Sequence, residues 1–130
     1  FDLILAPAMG GIIIGYEIGR LLEKETIFSE RINNVFKLRR DFIINKNQKV
    51  LIVEDVITTG RSSKECSKLV TLNGANVVGY ACIIDRSNGQ SEIKEKIISQ
   101  VELNIPTYRK ENLPKELLSI EAVKPGSRNL

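Results

Sequence analysis

The segment KVLIVEDVITTGRSS, residues 49–63, restricts the possible folds of this chain more than any other stretch. Its run of aliphatic and β-branched residues predicts a strand buried on both faces, as in a parallel sheet. The run ends at two adjacent carboxylates, Glu54 and Asp55, and a small, hydroxyl-rich turn follows from Thr58 to Ser63. Such a strand delivers polar groups to the edge of the sheet where ligands bind in open α/β folds.

The segments before this strand predict a helix and further strands. Asp2 to Ala6 is a continuous aliphatic run and predicts a short buried strand. Residues 10–25 predict a helix in which glycines recur every four residues, so that one face packs closely against a sheet. Thr26 to Ser29 predicts a second strand. Residues 30–44 alternate around two asparagines and predict a hairpin or a mobile arm of two strands.

The segments after the strand complete an α/β pattern. A helix is predicted to begin at an N-cap, Ser62 or Ser63, and to end at Gly74. Residues 76–85 predict a buried strand, residues 91–97 a short helix and residues 101–105 a strand, and the tail predicts one or two helical turns. This order of elements predicts an α/β fold with a mostly parallel sheet flanked by helices.

The composition is that of one ordinary domain. The chain has 130 residues, of which 42% are hydrophobic, enough for one core, so we expect residues 1–130 to form a single domain. A net charge of +3 without dense basic blocks argues against a nucleic-acid-binding arm. Cys66 and Cys82 stand in no CxxC pattern, which argues against zinc and disulfides. No apolar run is long enough to span a bilayer, so we expect a soluble, cytoplasmic protein that binds neither nucleic acid nor membrane.

Three loops are expected at the carboxyl edge of the sheet: APAMGG, EDVITTGRSS and DRSNG. In the second, a glycine-containing turn that enters a helix predicts a cradle for a phosphate, because free N–H groups and the helix dipole both favour an anion. Glu54 and Asp55 beside it can accept hydrogen bonds from sugar hydroxyls or bind Mg²⁺. A sugar phosphate is therefore the favoured ligand. The alternatives are a plain strand edge with a capped helix, and a nucleotide hydrolase, which the absence of GxxxxGK[ST] disfavours.

Five segments resemble known proteins in their order and spacing. VLIVEDVITTGRSS resembles the motif with which type I phosphoribosyltransferases bind 5-phosphoribosyl 1-pyrophosphate (PRPP). With FDLILAPAMGGI, ERINNVFKLRRDF, IIDRSNG and KPGSR, the likeness to the orotate phosphoribosyltransferase family extends over nearly the whole chain. The resemblance implies the type I phosphoribosyltransferase fold, a Rossmann-like sheet with a hairpin arm. It implies a single catalytic domain over residues 1–130 that lacks the family's N-terminal hood segment.

The resemblance also implies an activity and partners. Members of this family transfer the phosphoribosyl group of PRPP to orotate, with Mg²⁺, and release orotidine 5′-monophosphate and pyrophosphate in pyrimidine biosynthesis. The implied Mg²⁺ is held mainly by PRPP, and no metal-ligating residue is assigned. The implied assembly is a homodimer in which the arm of one subunit completes the site of the other. A transferase for a purine base and a PRPP-sensing regulator without catalysis remain as alternatives.

The resemblance implies a role for each residue of the PRPP motif according to its position in the motif. Glu54 and Asp55 are implied to contact the ribose hydroxyls, and the turn from Thr58 to Ser62 to hold the 5′-phosphate. Thr58 is also implied to reach the base, and Arg86 to pair with orotate, since a planar guanidinium matches a carboxylate at two points; an ion pair with Asp85 is the alternative. The implied PRPP-binding residues are Glu54, Asp55, Val56, Ile57, Thr58, Thr59, Gly60, Arg61 and Ser62.

The remaining implied residues lie in the first loop and the arm. The loop of Ala8, Met9, Gly10 and Gly11 is implied to bind pyrophosphate, through its backbone because Gly10 stands where many relatives have lysine. Arg31 and Lys37 belong to the implied mobile arm, and Arg31 is assigned as catalytic with Asp55. Arg39 and Arg40 are either functional or part of a solvated hairpin, and Arg61 either meets the phosphate or points to solvent. The chain has no histidine, which excludes proton transfer by imidazole.

Overall fold

A six-stranded sheet forms the centre of the computed structural model, which describes residues 1–121 and 123. The strands are β1 (Leu3–Pro7), β2 (Glu25–Ile32), β3 (Val35–Leu38), β4 (Lys49–Ile57), β5 (Asn76–Asp85) and β6 (Ile97–Glu102), in the order β3-β2-β1-β4-β5-β6. All neighbouring strands are parallel except β2 and β3. This confirms the predicted mostly parallel α/β sheet. The KPGSR segment lies outside the described residues.

Two helices cover opposite faces of the sheet. Helix α1 (Gly10–Leu22) packs through its glycine face: a Cβ at Gly15 would lie 3.0 Å from that of Ala6, and one at Gly11 only 2.7 Å from the carbonyl oxygen of Val53. Helix α2 (Arg61–Leu72) packs through Cys66 and Val70 against the alternate side chains of β1, including Leu5. The predicted role of the glycine stripe in close packing is therefore confirmed.

The predicted arm is a hairpin of β2 and β3. Asn33 and Asn34 form its turn with φ of 48° and 63°, as in the type I′ turns that join antiparallel strands, where both central residues have positive φ. Strand β2 extends to Ile32, beyond the predicted Ser29, because its end is paired with β3. After Leu38 the chain leaves the sheet, and Phe42 packs edge-on against Phe28 with ring centroids 5.1 Å apart.

Two local predictions are wrong. Neither Ser62 nor Ser63 caps α2, since the N-cap is Gly60 and the Ser63 hydroxyl is buried against Glu54. The predicted helix over residues 91–97 is absent: residues 91–96 form bends and irregular backbone, and the strand that follows is Ile97–Glu102 rather than residues 101–105. Ser91 donates a hydrogen bond to the carbonyl of Ile93 (3.3 Å), a local contact that competes with helix formation.

The end of α2 and the tail agree with the sequence patterns. Gly74 follows the helix with φ of 74°, and the amides of Gly74 and Ala75 donate to the carbonyls of Thr71 and Val70, as in a Schellman motif. The 3₁₀ turn Lys115–Leu117 is a predicted helical turn of the tail, and a second one, Lys110–Asn112, precedes it. Cys66 and Cys82 are free and buried. Throughout the described part of the chain, every helix is too short or too polar to cross a membrane.

Candidate active site

The three predicted ligand loops meet at one edge of the sheet. Strands β1, β4 and β5 are neighbours and parallel, so their carboxyl ends, at Pro7, Ile57 and Asp85, lie side by side. The amide of Arg86 donates to the carbonyl of Ile57 (2.8 Å), which joins the third loop to the second. The edge therefore brings together the segments that the sequence analysis singled out.

Two adjoining cavities open at this edge. One, of about 490 Å³, contacts the turn from Thr58 to Ser62; the other, of about 580 Å³, contacts the first loop, from Pro7 to Gly10. Their linings share Arg31, Glu54, Asp55 and Ser62, so the two form one continuous depression. A polar cleft with a carboxylate pair at its centre and an arginine at its side is suited to a ligand that carries both hydroxyls and phosphates.

The turn after β4 has the geometry of an anion cradle. Gly60 adopts φ of 76° at the N-cap of α2, and a Cβ there would lie 2.9 Å from Cγ1 of Ile93. The carbonyl of Thr59 accepts a hydrogen bond from the amide of Glu92 (2.8 Å), which braces the turn from behind. The N-cap Gly60 has no side chain to cap α2, and within the described residues the amide of Arg61 donates to the hydroxyl of Thr59 (3.4 Å), which leaves the next first-turn N–H groups, of Ser62 and Ser63, available to an anion.

The two carboxylates have different surroundings. Glu54 is buried, and its carboxylate accepts a hydrogen bond from the fully buried hydroxyl of Ser63. Asp55 is exposed, and its carboxylate accepts a hydrogen bond from the amide of Val56 (2.9 Å). A Cβ at Gly10 would overlap the Asp55 carboxylate, so a side chain at Gly10 would displace Asp55. The glycine thus lets the first loop approach the acids closely.

Two arginines at the side of the cleft share one carboxylate. Arg31 places Nη2 2.6 Å from Oε2 of Glu65, donates from Nη1 to the carbonyl of Asn34 (2.9 Å), and lies 4.2 Å above the ring of Phe36. Arg61 donates from Nε to the other oxygen of Glu65 (3.1 Å). Burial opposes ionisation of Glu65, but the two guanidinium groups outweigh it and lower the pKa of Glu65.

Arg86 carries a buried donor. Within the described part of the chain, its Nε is buried and has no hydrogen-bond acceptor, and no ion pair joins it to Asp85. Asp85 instead accepts a hydrogen bond from the amide of Ser87 (2.7 Å). A buried guanidinium nitrogen without an acceptor is costly, so an acceptor from outside the described residues, such as water or a ligand, would stabilise it.

Most of the predicted site residues gather at this cleft, and a few do not. Gly11, in the first turn of α1, lies against the backbone of Val53, and Lys37 is exposed on β3. Neither of them lines the two cavities, and Arg86 does not line them either, although its amide is bonded to the end of β4. Arg39 and Arg40 pair with Glu30 at the base of the arm, at 3.9 and 3.2 Å, instead of entering the cleft.

The sequence analysis missed two residues of the site, Glu65 and Asn34, to which it gave no role. It placed Ser63 in the hydroxyl-rich turn and as a cap, whereas the hydroxyl of Ser63 donates to Glu54. The spacing of Arg61 and Glu65, four residues apart on one helix, could have indicated their pair. The pair of Glu65 with Arg31 depends on how the arm packs on α2, and no short-range pattern contains that information.

Comparisons with known proteins identify the family and agree with the fold. The family model for the phosphoribosyl transferase domain matches residues 1–114, and the chain belongs to the phosphoribosyltransferase family. A relative from Parvibaculum lavamentivorans, named orotate phosphoribosyltransferase, is 46% identical over 129 residues, which are 99% of this chain and 66% of the relative. Relatives that are 44–49% identical carry the same name, so within the family the chain groups with the orotate phosphoribosyltransferases.

The solved structures confirm the predicted type I phosphoribosyltransferase fold. An adenine phosphoribosyltransferase from Thermoanaerobacter pseudethanolicus has a TM-score of 0.69 at 22% identity, covering 79% of this chain and 70% of that one. An orotate phosphoribosyltransferase from Aeropyrum pernix has a TM-score of 0.65 at 21% identity, covering 78% and 60%. Because the fold is common to enzymes for both bases, the base must be argued from the site. The chain spans about two thirds of the length of the sequence relatives, from 64% to 68%.

Proposed function

We propose that the protein transfers the phosphoribosyl group of PRPP to orotate and releases orotidine 5′-monophosphate and pyrophosphate, in the cytoplasm, as a step of pyrimidine biosynthesis. The observation that carries this proposal is the juxtaposition in one cleft of an uncapped helix start, two carboxylates and two arginines, beside the unpartnered donor of Arg86. PRPP supplies the phosphates and hydroxyls that this arrangement can bind, and orotate supplies the carboxylate that Arg86 can bind.

The residues of the cleft divide between the parts of PRPP. We assign the 5′-phosphate to the turn from Thr58 to Ser62, with Val56 and Ile57 forming the wall beneath it. The ribose hydroxyls are assigned to Glu54 and Asp55, and Ser63 orients Glu54 for that contact. The pyrophosphate is assigned to the backbone of the loop from Ala8 to Gly10, which lines the adjoining cavity.

The reaction requires positioning more than proton transfer. The bond between C1 of the ribose and the pyrophosphate oxygen breaks with its electron pair, while the ring nitrogen of orotate forms a bond to C1 through an oxocarbenium-like transition state. Orotate is an anion with an acidic ring N–H, and its proton passes to solvent. Arg31 stabilises the charge that develops on the pyrophosphate, and Asp55 holds the ribose in line.

Mg²⁺ fits this cleft as an ion that the substrate carries. Over the described residues, no group of three or more His, Cys, Asp and Glu side chains could bind a metal by itself. Phosphate oxygens of PRPP would supply most ligands, with Asp55, the exposed carboxylate of the cleft, as the available protein oxygen. When bound, the ion neutralises charge on the departing pyrophosphate.

The amount of pyrophosphate released distinguishes a transferase from a PRPP-sensing regulator without catalysis. With PRPP, Mg²⁺ and orotate, we expect equimolar pyrophosphate and orotidine 5′-monophosphate, measured by coupled phosphate detection and by chromatography. The control is the same mixture without orotate, in which a site that excludes water should release little pyrophosphate. Tight PRPP binding with no product from any base would instead support a PRPP-sensing regulator.

We also propose that the protein is a homodimer in which the arm of one subunit completes the site of the other. The arm forms the edge of the sheet, and its outer residue Val35 is 56% exposed, as expected of a segment that can contact a neighbour. Arg31 lies on β2 close to the turn of the arm, and it also borders the cleft of its own chain.

Mixing two inactive variants tests the shared site. An equimolar mixture of Arg31→Ala and Asp55→Asn subunits, exchanged by dilution and reconcentration, should regain up to about a quarter of the parent activity, because half of the subunits pair with the other variant and one site in each such dimer has both residues intact. A matched mixture of Arg31→Ala and Arg31→Lys controls for exchange itself. No gain on mixing would assign Arg31 to the cleft of its own chain.

A further inference from the structure

We infer that Glu65 is a positioning residue that holds Arg31 and Arg61 at the side of the cleft, and that its carboxylate is needed for productive binding of PRPP. The inference rests on the proposed function, because it assigns both arginines to the anionic ends of that substrate. Arg31 borders both cavities and Arg61 borders the one at the phosphate turn. Glu65 lies behind both arginines and lines neither cavity.

Each oxygen of Glu65 holds one guanidinium. Oε1 accepts a hydrogen bond from Nε of Arg61 (3.1 Å), and Oε2 lies 2.6 Å from Nη2 of Arg31. Among the described residues Oε2 is buried and has no well-aligned hydrogen-bond donor, so its contact with Arg31 is chiefly ionic. One carboxylate therefore links the arm, through Arg31, to the first turns of α2, through Arg61.

The two arginines are held to different degrees. The Arg31 side chain is 26% exposed and is fixed at three points: by Glu65, by the carbonyl of Asn34 and by the ring of Phe36. The Arg61 side chain is 78% exposed, and Glu65 is its ion-pair partner within the described residues. Loss of the carboxylate would leave two like charges to repel each other, and Arg61 would turn toward solvent.

This geometry differs from that of an ordinary surface ion pair. Glu17 and Arg20 also form a pair, at 2.7 Å, but both are about half exposed on the outer face of α1, away from the cleft. Glu65 is 23% exposed, and its ionised form is maintained by two cations rather than one. Arg31 can meet pyrophosphate in the cleft of its own chain or in that of the other subunit. In both cases Glu65 of the same chain as Arg31 sets the position of the guanidinium.

The test is the variant Glu65→Gln in the full-length protein, with Glu17→Gln as its matched control. Glutamine keeps the shape and one acceptor but cannot attract both arginines. We expect kcat/KM for PRPP to fall about 10- to 100-fold, because small displacements of positioning groups have effects of this size. KM for orotate should change less than about twofold, and the melting temperature should change no more than in Glu17→Gln. A purely structural role would instead impair both substrates together and lower the melting temperature.

A double-mutant cycle distinguishes positioning from a direct effect. If Glu65 acts through the arginines, Glu65→Gln should have no further effect in a protein that already carries Arg31→Ala and Arg61→Ala. The same loss in both backgrounds would overturn the inference, and so would parent values of kcat/KM in the single variant.

A measurement of PRPP binding in the absence of a base tests the role of Glu65 independently of the proposed reaction. Titration calorimetry of PRPP with Mg²⁺ should show about tenfold weaker binding to Glu65→Gln than to the parent and to Glu17→Gln. A parent that binds PRPP but does not consume orotate would overturn the proposed function and leave this comparison valid. A parent that binds neither PRPP nor pyrophosphate would overturn both.

Discussion

Replacement of Arg86 by alanine is expected to lower kcat/KM for orotate about 10²- to 10³-fold while PRPP binding changes less than about twofold. The reason is the buried Nε of Arg86, which has no acceptor among the described residues. The backbone amide of Arg86 donates to the carbonyl of Ile57, so the residue lies next to the phosphate turn. Truncating one partner of a buried, hydrogen-bonded charge pair costs about 2–5 kcal/mol, and each 1.4 kcal/mol is a factor of ten. Steady-state kinetics with either substrate varied measures both quantities.

Two further variants make the Arg86 test more specific. Arg86→Lys keeps the charge but loses two-point recognition, so its kcat/KM for orotate should fall between those of the parent and Arg86→Ala. Arg20→Ala removes an arginine from an exposed pair on α1 and should behave as the parent. If Arg86→Ala lost PRPP binding and orotate use to the same extent, Arg86 would support the fold of the edge rather than contact the base.

Replacement of Arg31 by alanine is expected to lower kcat about 10²- to 10³-fold with little change in KM for orotate. Arg31 is the cation that borders both cavities, and it is poised to meet charge that appears on pyrophosphate only as the bond breaks. Loss of one group that stabilises such a transition-state charge has an effect of this size. Single-turnover kinetics with saturating PRPP measures the chemical step directly.

Another arginine of the arm provides the control for Arg31. Arg39 is 55% exposed and lies 3.9 Å from Glu30, at the base of the hairpin, so Arg39→Ala should retain kcat within about twofold. Full turnover by Arg31→Ala would remove Arg31 from the catalytic residues and would leave the backbone of the first loop and the bound ion to neutralise the pyrophosphate.

The parts of the fold that the sequence predicts well are those governed by local periodicity. Strand β4 contains the aliphatic run of residues 50–53, and its central place in the sheet follows from that run, as does the delivery of Glu54 and Asp55 toward the carboxyl edge. The turn at Gly60 and the end of α2 at Gly74 are likewise encoded by residues that tolerate positive φ.

The parts that the sequence does not predict depend on tertiary contacts. Ser63 has the right type and position for a cap, but the buried carboxylate of Glu54 takes its hydroxyl. Residues 91–97 have a helical composition, yet Ile93 is buried against Gly60, and β6 pairs with β5 from Ile97 onward. Glu65 could be recognised as a partner of Arg31 only after the arm was seen to pack on α2.

The measurement that tests the central claim most directly is a comparison of bases. The protein is incubated with PRPP and Mg²⁺ and, separately, with orotate, uracil, adenine, hypoxanthine or guanine, and kcat/KM is determined for each base from its loss and from pyrophosphate release. We predict turnover of orotate alone, because of these bases it is the one that carries a carboxylate for Arg86. Turnover of a purine in preference to orotate would keep the fold and the PRPP cleft but would contradict the assignment of the base and of Arg86.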